Sequence, residues 1–314
     1  MNDLIMQLAL FQVAVPLALI LLNGVIPMGS RAGWLLRTVA ILLGLAYALV
    51  AGIWLFPPWW TPLLLALLHL WIAGRQYRRL MARGPVQLSW QTLEAGLAVL
   101  LAMVFAYMLV PALQGRTAPK VAIDLSMPLG PGRYLVLSGG ATPAINAHFE
   151  TLNRPSAAAF RGQSRAVDII GINALGVRAP GISPADPRVY RIYGADVLAP
   201  CAGRVVEAVD GVADNPVPQM NRAVMTGNSV LLECQGLAVL LAHFAPGSLR
   251  VEEGDSVTAG QVIGQVGNSG NSGEPHLHLH VQTLVNAGAP LSGKPLWFTV
   301  DGAFLVRNMR FVVP

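Results

Sequence analysis

The first third of the chain is written in long apolar runs and the remainder in short ones. Four runs approach or exceed the roughly 20 residues that a helix needs to cross a bilayer: Leu4–Met28, Thr38–Phe56, Pro58–Gly74 and Leu93–Leu113. The third is the shortest and is joined to the second through Pro57–Pro58, so these two predict a helical hairpin. From Lys120 onward the pattern changes to short stretches of Val, Ile and Leu broken by Gly, Pro, Asn and Asp. Examples are Arg133–Leu137, Ala166–Ile170, Arg204–Ala208, Ser229–Glu233, Ala238–His243, Gln261–Val266 and His276–Gln282. Runs of this length with such punctuation predict strands, and no amphipathic helix is expected between them. The predicted organisation is an α-helical membrane bundle of four spans over residues 1–113, a Pro- and Gly-rich linker with leading strands over 114–140, and an all-β domain over 141–314.

Composition sharpens this division. The chain is 54% hydrophobic and only 12% charged, about half the charge of an ordinary soluble protein, and the only acids in the first 113 residues are Asp3 and Glu94. The net charge of +5 raises the question of a nucleic-acid partner. Its distribution answers against one: Arg31, Arg37, Arg75, Arg78, Arg79 and Arg83 lie between the apolar runs, and no basic stripe interleaved with aromatics follows. Those arginines instead set orientation, because short loops rich in Lys and Arg stay cytoplasmic. With four spans, the loops after the first and third lie on one side. The N-terminus, the Pro57–Pro58 loop and the C-terminal domain then lie on the other, placing the domain in the periplasm or outside a multi-pass protein of the cytoplasmic membrane. The first run lacks a basic leading region and three more follow it, so it reads as an anchor rather than a cleavable signal. His69, in the third run, has no acidic partner in the neighbouring runs and is expected to be a neutral packing or interfacial histidine.

Two features carry chemistry. Cys201 and Cys234 fall in or beside predicted strands; outside the cytoplasm a disulfide is permitted, and two separate small buried residues are the alternative. More pointedly, five of the six histidines lie beyond residue 114, three of them in His276-Leu277-His278-Leu279-His280. Alternate side chains of a strand share a face, so these imidazoles project together, a common way to begin a zinc site. Surface histidines on an edge strand are the plainer reading, but leucines between all three favour metal.

The surrounding residues resemble the lysostaphin-type (LytM-type) zinc endopeptidases. Gly267-Asn268-Ser269-Gly270-Asn271-Ser272-Gly273-Glu274-Pro275-His276-Leu277-His278 is similar to that family's signature loop and strand, and Leu240-Leu241-Ala242-His243-Phe244 to its single-histidine strand. Val251–Gln261 resembles its hairpin, and Ala199–Val206 and Gly227-Asn228-Ser229-Val230 also fit. The resemblance covers about residues 145–310 and leaves out the spans. It implies a lysostaphin-like domain of the barrel-sandwich hybrid type that binds Zn2+ and cuts peptide cross-links or bridges of peptidoglycan. It implies His278 and Asp168 as zinc ligands and His243 and His276 as catalytic histidines. The usual ligand four residues before the aspartate is replaced by Ser164, and His148 is the expected third ligand, since closing a loop of some twenty residues adds little entropy cost. Two neutral imidazoles and one carboxylate leave the metal positively charged, with a position open to water. His280 and Asn228 are expected behind a ligand or at the substrate edge, and Glu274 at the rim.

Two other classes compete. A relative that has lost metal residues and instead activates other cell-wall hydrolases is favoured by Ser164 and opposed by the retention of Asp168, His243, His276 and His278. Val251–Val266 shares the rhythm of a biotinyl- or lipoyl-type carrier, but that reading fails because Lys120 and Lys294 lie away from the hairpin. The spans serve either as a plain anchor in the lipid bilayer or as the binding surface for a regulatory membrane partner.

Overall fold

The computed structural model describes residues 3–83, 91–285 and 287–314. The chain divides into two compact units at Leu113/Gln114.

In the first unit, α1 (Asp3–Ala9) passes through a π-helical stretch, Leu10–Ala14, into α2 (Val15–Val25). Helix α3 (Arg31–Ala51) begins at Arg31 rather than at the expected Thr38, because Ser30 accepts a hydrogen bond from the Gly33 amide and so caps an earlier turn. Helices α4 (Thr61–Arg83) and α5 (Gln91–Gln114) follow. Among the described residues, three helical stretches are long and apolar enough to cross a membrane: Leu4–Val25, Arg31–Ala51 and Gln91–Gln114. The expected third span is the exception. Its apolar residues end near Gly74 while α4 runs on through Arg75, Arg78, Arg79 and Arg83. Fourteen helical residues rise only about 21 Å, less than the roughly 30 Å of a hydrocarbon core.

Helix α4 is nonetheless packed. Its buried residues Leu65, His69, Ile72, Ala73, Gln76 and Leu80 recur at helical spacing, and Leu65 and Ile72 join Ile20 of α2 and Leu45 of α3 in one cluster. Trp34 Nε1 donates to the Ala73 carbonyl at 2.9 Å, and His69 Nε2 lies 3.3 Å from the Thr38 carbonyl. These two levels make α3 and α4 antiparallel, with His69 wholly buried as a packing residue.

The second unit is built on one large antiparallel sheet in the order β13-β2-β3-β10-β7-β6-β5-β8, with β11 paired beside β10. Its strands are β2 (Gly132–Ser138), β3 (Val167–Gly171), β5 (Gly203–Val209), β6 (Asn228–Cys234), β7 (Leu237–Phe244), β8 (Ser256–Val257), β10 (Leu277–Thr283), β11 (Pro295–Leu296) and β13 (Arg310–Val313). Two small sheets accompany it, β1 (Ile123–Leu125) with β12 (Phe298–Val300), and β4 (Asp196–Leu198) with β9 (Val262–Gln265). Val197, Ile263, Leu125 and Val300 of the small sheets share one core with Ile169, Val230, Val239, Leu241, Leu277 and Leu279 of the large one.

All seven expected strands are present, as β2, β3, β5, β6, β7, β9 and β10. β1 lies where leading strands are expected, over 114–140, whereas β4, β8, β11, β12 and β13 were not expected. Nor was the helical segment between β2 and β3, made of a turn at Ala147–Phe149, a short helix α6 (Glu150–Asn153) and a 3-10 stretch Pro155–Arg165. It starts at Asn146, whose side chain accepts from the His148 amide. Cys201 and Cys234 are bonded as a disulfide across a Cα–Cα distance of 6.1 Å, which decides between the two readings of the cysteines.

Candidate functional site

Strand register assembles the site. Asp168 of β3 lies directly opposite His278 of β10, which lies opposite Ala242 of β7. On β10, Leu277, Leu279 and Val281 point into the core. The alternate residues His278 and His280, with His276 just before the strand, therefore share the other face. His243 should not join them, since strict alternation on β7 would send it inward with Val239 and Leu241. The pairing of β6 with β7 slips between Asn228 and Ser229, leaving His243 as an extra residue opposite none. Its φ is +70°, a left-handed conformation uncommon outside glycine. A bulge of this kind re-aims a side chain, and here it turns His243 onto the histidine face: its ring centroid lies 4.7 Å from that of His276 and 5.8 Å from that of His278.

The helical segment brings His148 to the same place. His148 Nε2 lies 3.3 Å from Asp168 Oδ2, and His278 Nδ1 lies 3.0 Å from Asp168 Oδ1. Donor atoms of His148, Asp168 and His278 all fall within 4.8 Å of one another, as do those of His243, His276 and His278. Four-coordinate zinc with bonds of about 2.0–2.1 Å has ligand-to-ligand edges of roughly 3.4 Å. The His148–Asp168–His278 group fits that size and that mixture of nitrogen and oxygen donors.

Fixed acceptors determine which ring nitrogens face inward. His243 Nδ1 lies 2.8 Å from the Ser269 carbonyl and His276 Nδ1 lies 2.9 Å from the Glu274 carbonyl. A carbonyl only accepts, so each Nδ1 carries the proton and each Nε2 keeps its lone pair. His148 Nδ1, 3.1 Å from Asn146 Oδ1, is oriented likewise. Asn146 is itself anchored by donating to the Gly140 and Ala166 carbonyls. His278 turns Nδ1 to Asp168, and its Nε2 lies 3.0 Å from His280 Nδ1.

The electrostatics favour neutral His148 and His243 beside a charged Asp168. Burial pushes His148 down to about 4, partly opposed by Asp168. Burial, then His276 and His278, hold His243 well below the usual histidine range. Burial alone would raise the Asp168 carboxyl, but His148, His276 and His278 outweigh it and bring it below the carboxylate range.

The expected residues thus separate into three groups. His148, Asp168, His243, His276 and His278 converge. His280 is wholly buried, with its Nδ1 3.0 Å from His278 Nε2. Asn228 is not at a substrate edge. It is wholly buried, its amide donating to the Val212 and Phe244 carbonyls and its oxygen accepting from the Val212 amide. Glu274 is not a rim residue either. Arg178, itself buried, holds both its carboxylate oxygens at 2.9 and 3.0 Å, and the Glu274 carbonyl faces His276. Ser164 is buried and donates to the Arg161 carbonyl, 2.8 Å from Thr151 Oγ1.

Sequence reasoning missed Asn146, Ser269 and Arg178. Asn146 was within reach as a capping-type residue two positions before a lone histidine. Ser269 acts through its carbonyl, and Arg178 meets Glu274 from 96 residues away; neither leaves a local signal.

No curated protein matches the chain. Among solved structures, the catalytic domain of the antimicrobial peptidase lysostaphin from Staphylococcus simulans is 24% identical, covering 41% of this chain and 73% of that one at a TM-score of 0.27. A zinc-containing peptidase from Vibrio cholerae is 18% identical over 50% of this chain and 37% of that one, at a TM-score of 0.28. A complex of SpoIIIAH and SpoIIQ is matched at 19% identity over 55% of this chain and 95% of that one, at a TM-score of 0.33. The model of peptidase family M23 matches residues 189–291, a stretch that includes His243, His276, His278 and His280 and excludes His148 and Asp168. Over residues 189–291, then, the second unit is similar to peptidase family M23.

Proposed function

We propose that this protein is a membrane-anchored zinc endopeptidase that hydrolyses peptide cross-links or bridges of peptidoglycan, with its C-terminal domain outside the cytoplasm. The observation that carries the reading is the convergence of His148, Asp168 and His278 beside two histidines with inward-facing Nε2 lone pairs. His148, Asp168 and His278 would hold the zinc. Bound there, zinc supplies the positive charge that acidifies a water and polarises a peptide carbonyl.

The chain's own groups handle the proton. His243 and His276 each have a carbonyl held at Nδ1, which leaves Nε2 to accept the proton that water loses as it attacks the carbonyl carbon. The imidazolium so formed carries N–H on both nitrogens. Its Nε2–H can donate to the developing oxyanion or pass to the leaving nitrogen as the peptide C–N bond breaks. For His243, burial makes the charged form short-lived, which favours that return of the proton. Arg178 acts through Glu274, fixing the carbonyl that sets the His276 tautomer.

Two features support the location. Helix α4 lies antiparallel to α3, with Ala73 level with Trp34, so Arg75–Arg83 sit towards the end of the bundle that holds Arg31 and Arg37. On this reading α4 is the third of four crossings, its short apolar part completed by arginines that reach the cytoplasmic interface. The Cys201–Cys234 disulfide calls for an oxidising compartment.

The test is zinc content and release of soluble peptides from purified peptidoglycan by the full chain in detergent. One zinc per chain with chelator-sensitive release is expected. A protein that binds no zinc and releases nothing would return the reading to a binding module.

A further inference from the structure

We infer that the helical segment carrying His148 also builds an anion site, formed by Arg161, Arg165 and Lys294, that takes a phosphate group. These cations line one cavity of about 380 Å³ together with Ser292, and Leu152 and Pro295 form apolar wall. Among the described residues no carboxylate lines it. Four other arginines of the domain have acidic partners: Arg154 pairs with Glu150, Arg178 with Glu274, Arg188 with Asp186 and Arg250 with Asp196. Among the described residues no ion pair joins Arg161, Arg165 or Lys294 to an acid. Three like charges around one cavity repel, and an anion between them relieves that repulsion.

The arrangement is built rather than incidental. Arg165 is held by donating from Nη1 to the Pro295 carbonyl at 3.1 Å and lies over the Trp297 ring at 4.5 Å. Arg161 and Lys294 are exposed at the mouth. The geometry selects phosphate over carboxylate. A carboxylate presents two oxygens in one plane, which a single guanidinium fork satisfies. Cations arriving from separate positions, two on the 3-10 stretch and one on the loop after β10, suit a tetrahedral group with oxygens in several directions and more charge.

Occupancy would also brace the metal site. Lys294 exchanges hydrogen bonds with Thr283, the last residue of β10. Arg161 connects to His148 through its carbonyl: Ser164 Oγ donates to it, Thr151 Oγ1 lies 2.8 Å from Ser164 Oγ, and Thr151 donates to the His148 carbonyl. A phosphate held between Arg161 and Lys294 therefore ties the His148 segment to the strand bearing His278.

The test is titration of inorganic phosphate into the full chain, zinc retained, against chloride and acetate at equal ionic strength. The variant is the double substitution Arg161→Gln with Lys294→Gln, both exposed, which removes the side-chain charges and leaves in place the backbone groups that make those bonds. Wild type should bind phosphate saturably and the double variant at least about tenfold more weakly, with unchanged zinc content. Equal binding by the variant would place phosphate on the metal and overturn the inference, as would acetate binding as well as phosphate. Repeating the titration in nanodiscs separates the sources. Phosphate affinity reduced by phosphatidylglycerol relative to phosphatidylcholine supports the site with a lipid headgroup as occupant, and equal affinity in both supports it with a soluble phosphate ester. Because binding is read without hydrolysis, the result stands apart from the peptidase reading.

Discussion

Removing His148 tests the least conventional part of the zinc site. The family resemblance puts a ligand at position 164, yet the residue there is a serine whose hydroxyl is consumed by Arg161 and Thr151, while His148 Nε2 stands 3.3 Å from Asp168. Zinc binding in four-ligand peptide sites amounts to about 10–16 kcal/mol, roughly 3–4 kcal/mol for each ligand. His148→Ala should then weaken zinc by about 10²–10³-fold, at about 1.4 kcal/mol per decade. Asn146→Ala removes the acceptor that orients the ring, 3.1 Å from Nδ1, and should fall between, about 10–100-fold. Ser164→Ala should keep wild-type zinc and lose only about 1 kcal/mol of stability. Zinc retained by each full-length variant, measured by mass spectrometry after dialysis against a chelator of known affinity, gives the ranking. Wild-type affinity in His148→Ala, or zinc loss in Ser164→Ala, would show that another group holds the metal.

His243→Ala and His276→Ala should retain zinc while hydrolysis falls by about 10²–10⁴-fold, whereas His278→Ala should lose zinc too; zinc loss from all three would remove the distinction of roles. Cys201→Ser opens a cross-link between residues 33 apart and should cost the second unit about 4 kcal/mol on the chain-entropy estimate, read as a lower unfolding midpoint in denaturant. In zinc-free protein, His148 is held neutral by burial, with its pKa lowered from 6.5 to about 4. The stability it contributes is complete above pH 6.5 and drains away as pH falls towards 4, on the order of 3 kcal/mol in all. Melting curves that do not change between pH 7 and 4 would contradict that burial. Alkaline phosphatase fused after Pro314 should be active and the same fusion near Arg79 inactive; the reverse pair would reject both the orientation and a cell-wall substrate.

What could be read from the sequence followed from local periodicity. Alternation in His276–His280 placed the imidazoles on one face because side-chain direction in a strand depends only on parity. Long apolar runs located the helices of the first unit, and five-residue runs the longer strands of the second. The two-residue β8 and β11 carry too little pattern to register, and the helical segment over 147–165 is stabilised by contacts elsewhere, such as the Gly162 amide donating to the Leu291 carbonyl. The third membrane run and its helix differ in length because hydropathy stops at Gly74 while helix propensity does not.

The most instructive failure is one the sequence conceals. By parity, His243 belongs with Val239 and Leu241 in the core, and strict periodicity would bury it there. One extra residue in β7 relative to β6 reverses that parity. The cost is a left-handed backbone at a non-glycine residue, of order 1–3 kcal/mol, which surrounding hydrogen bonds offset. The His243 amide donates to the Thr226 carbonyl, its carbonyl accepts from Gly267, and its ring donates to Ser269. The loop supplying two of these partners has no room for a side chain at Gly270, where a Cβ would run into the Gly227 backbone. The glycine- and serine-rich run before the histidine strand is thus the structural counterpart of the bulge. It holds the one conformation in which a histidine from a neighbouring strand can face Asp168, His276 and His278, and that is why the two segments must be read together.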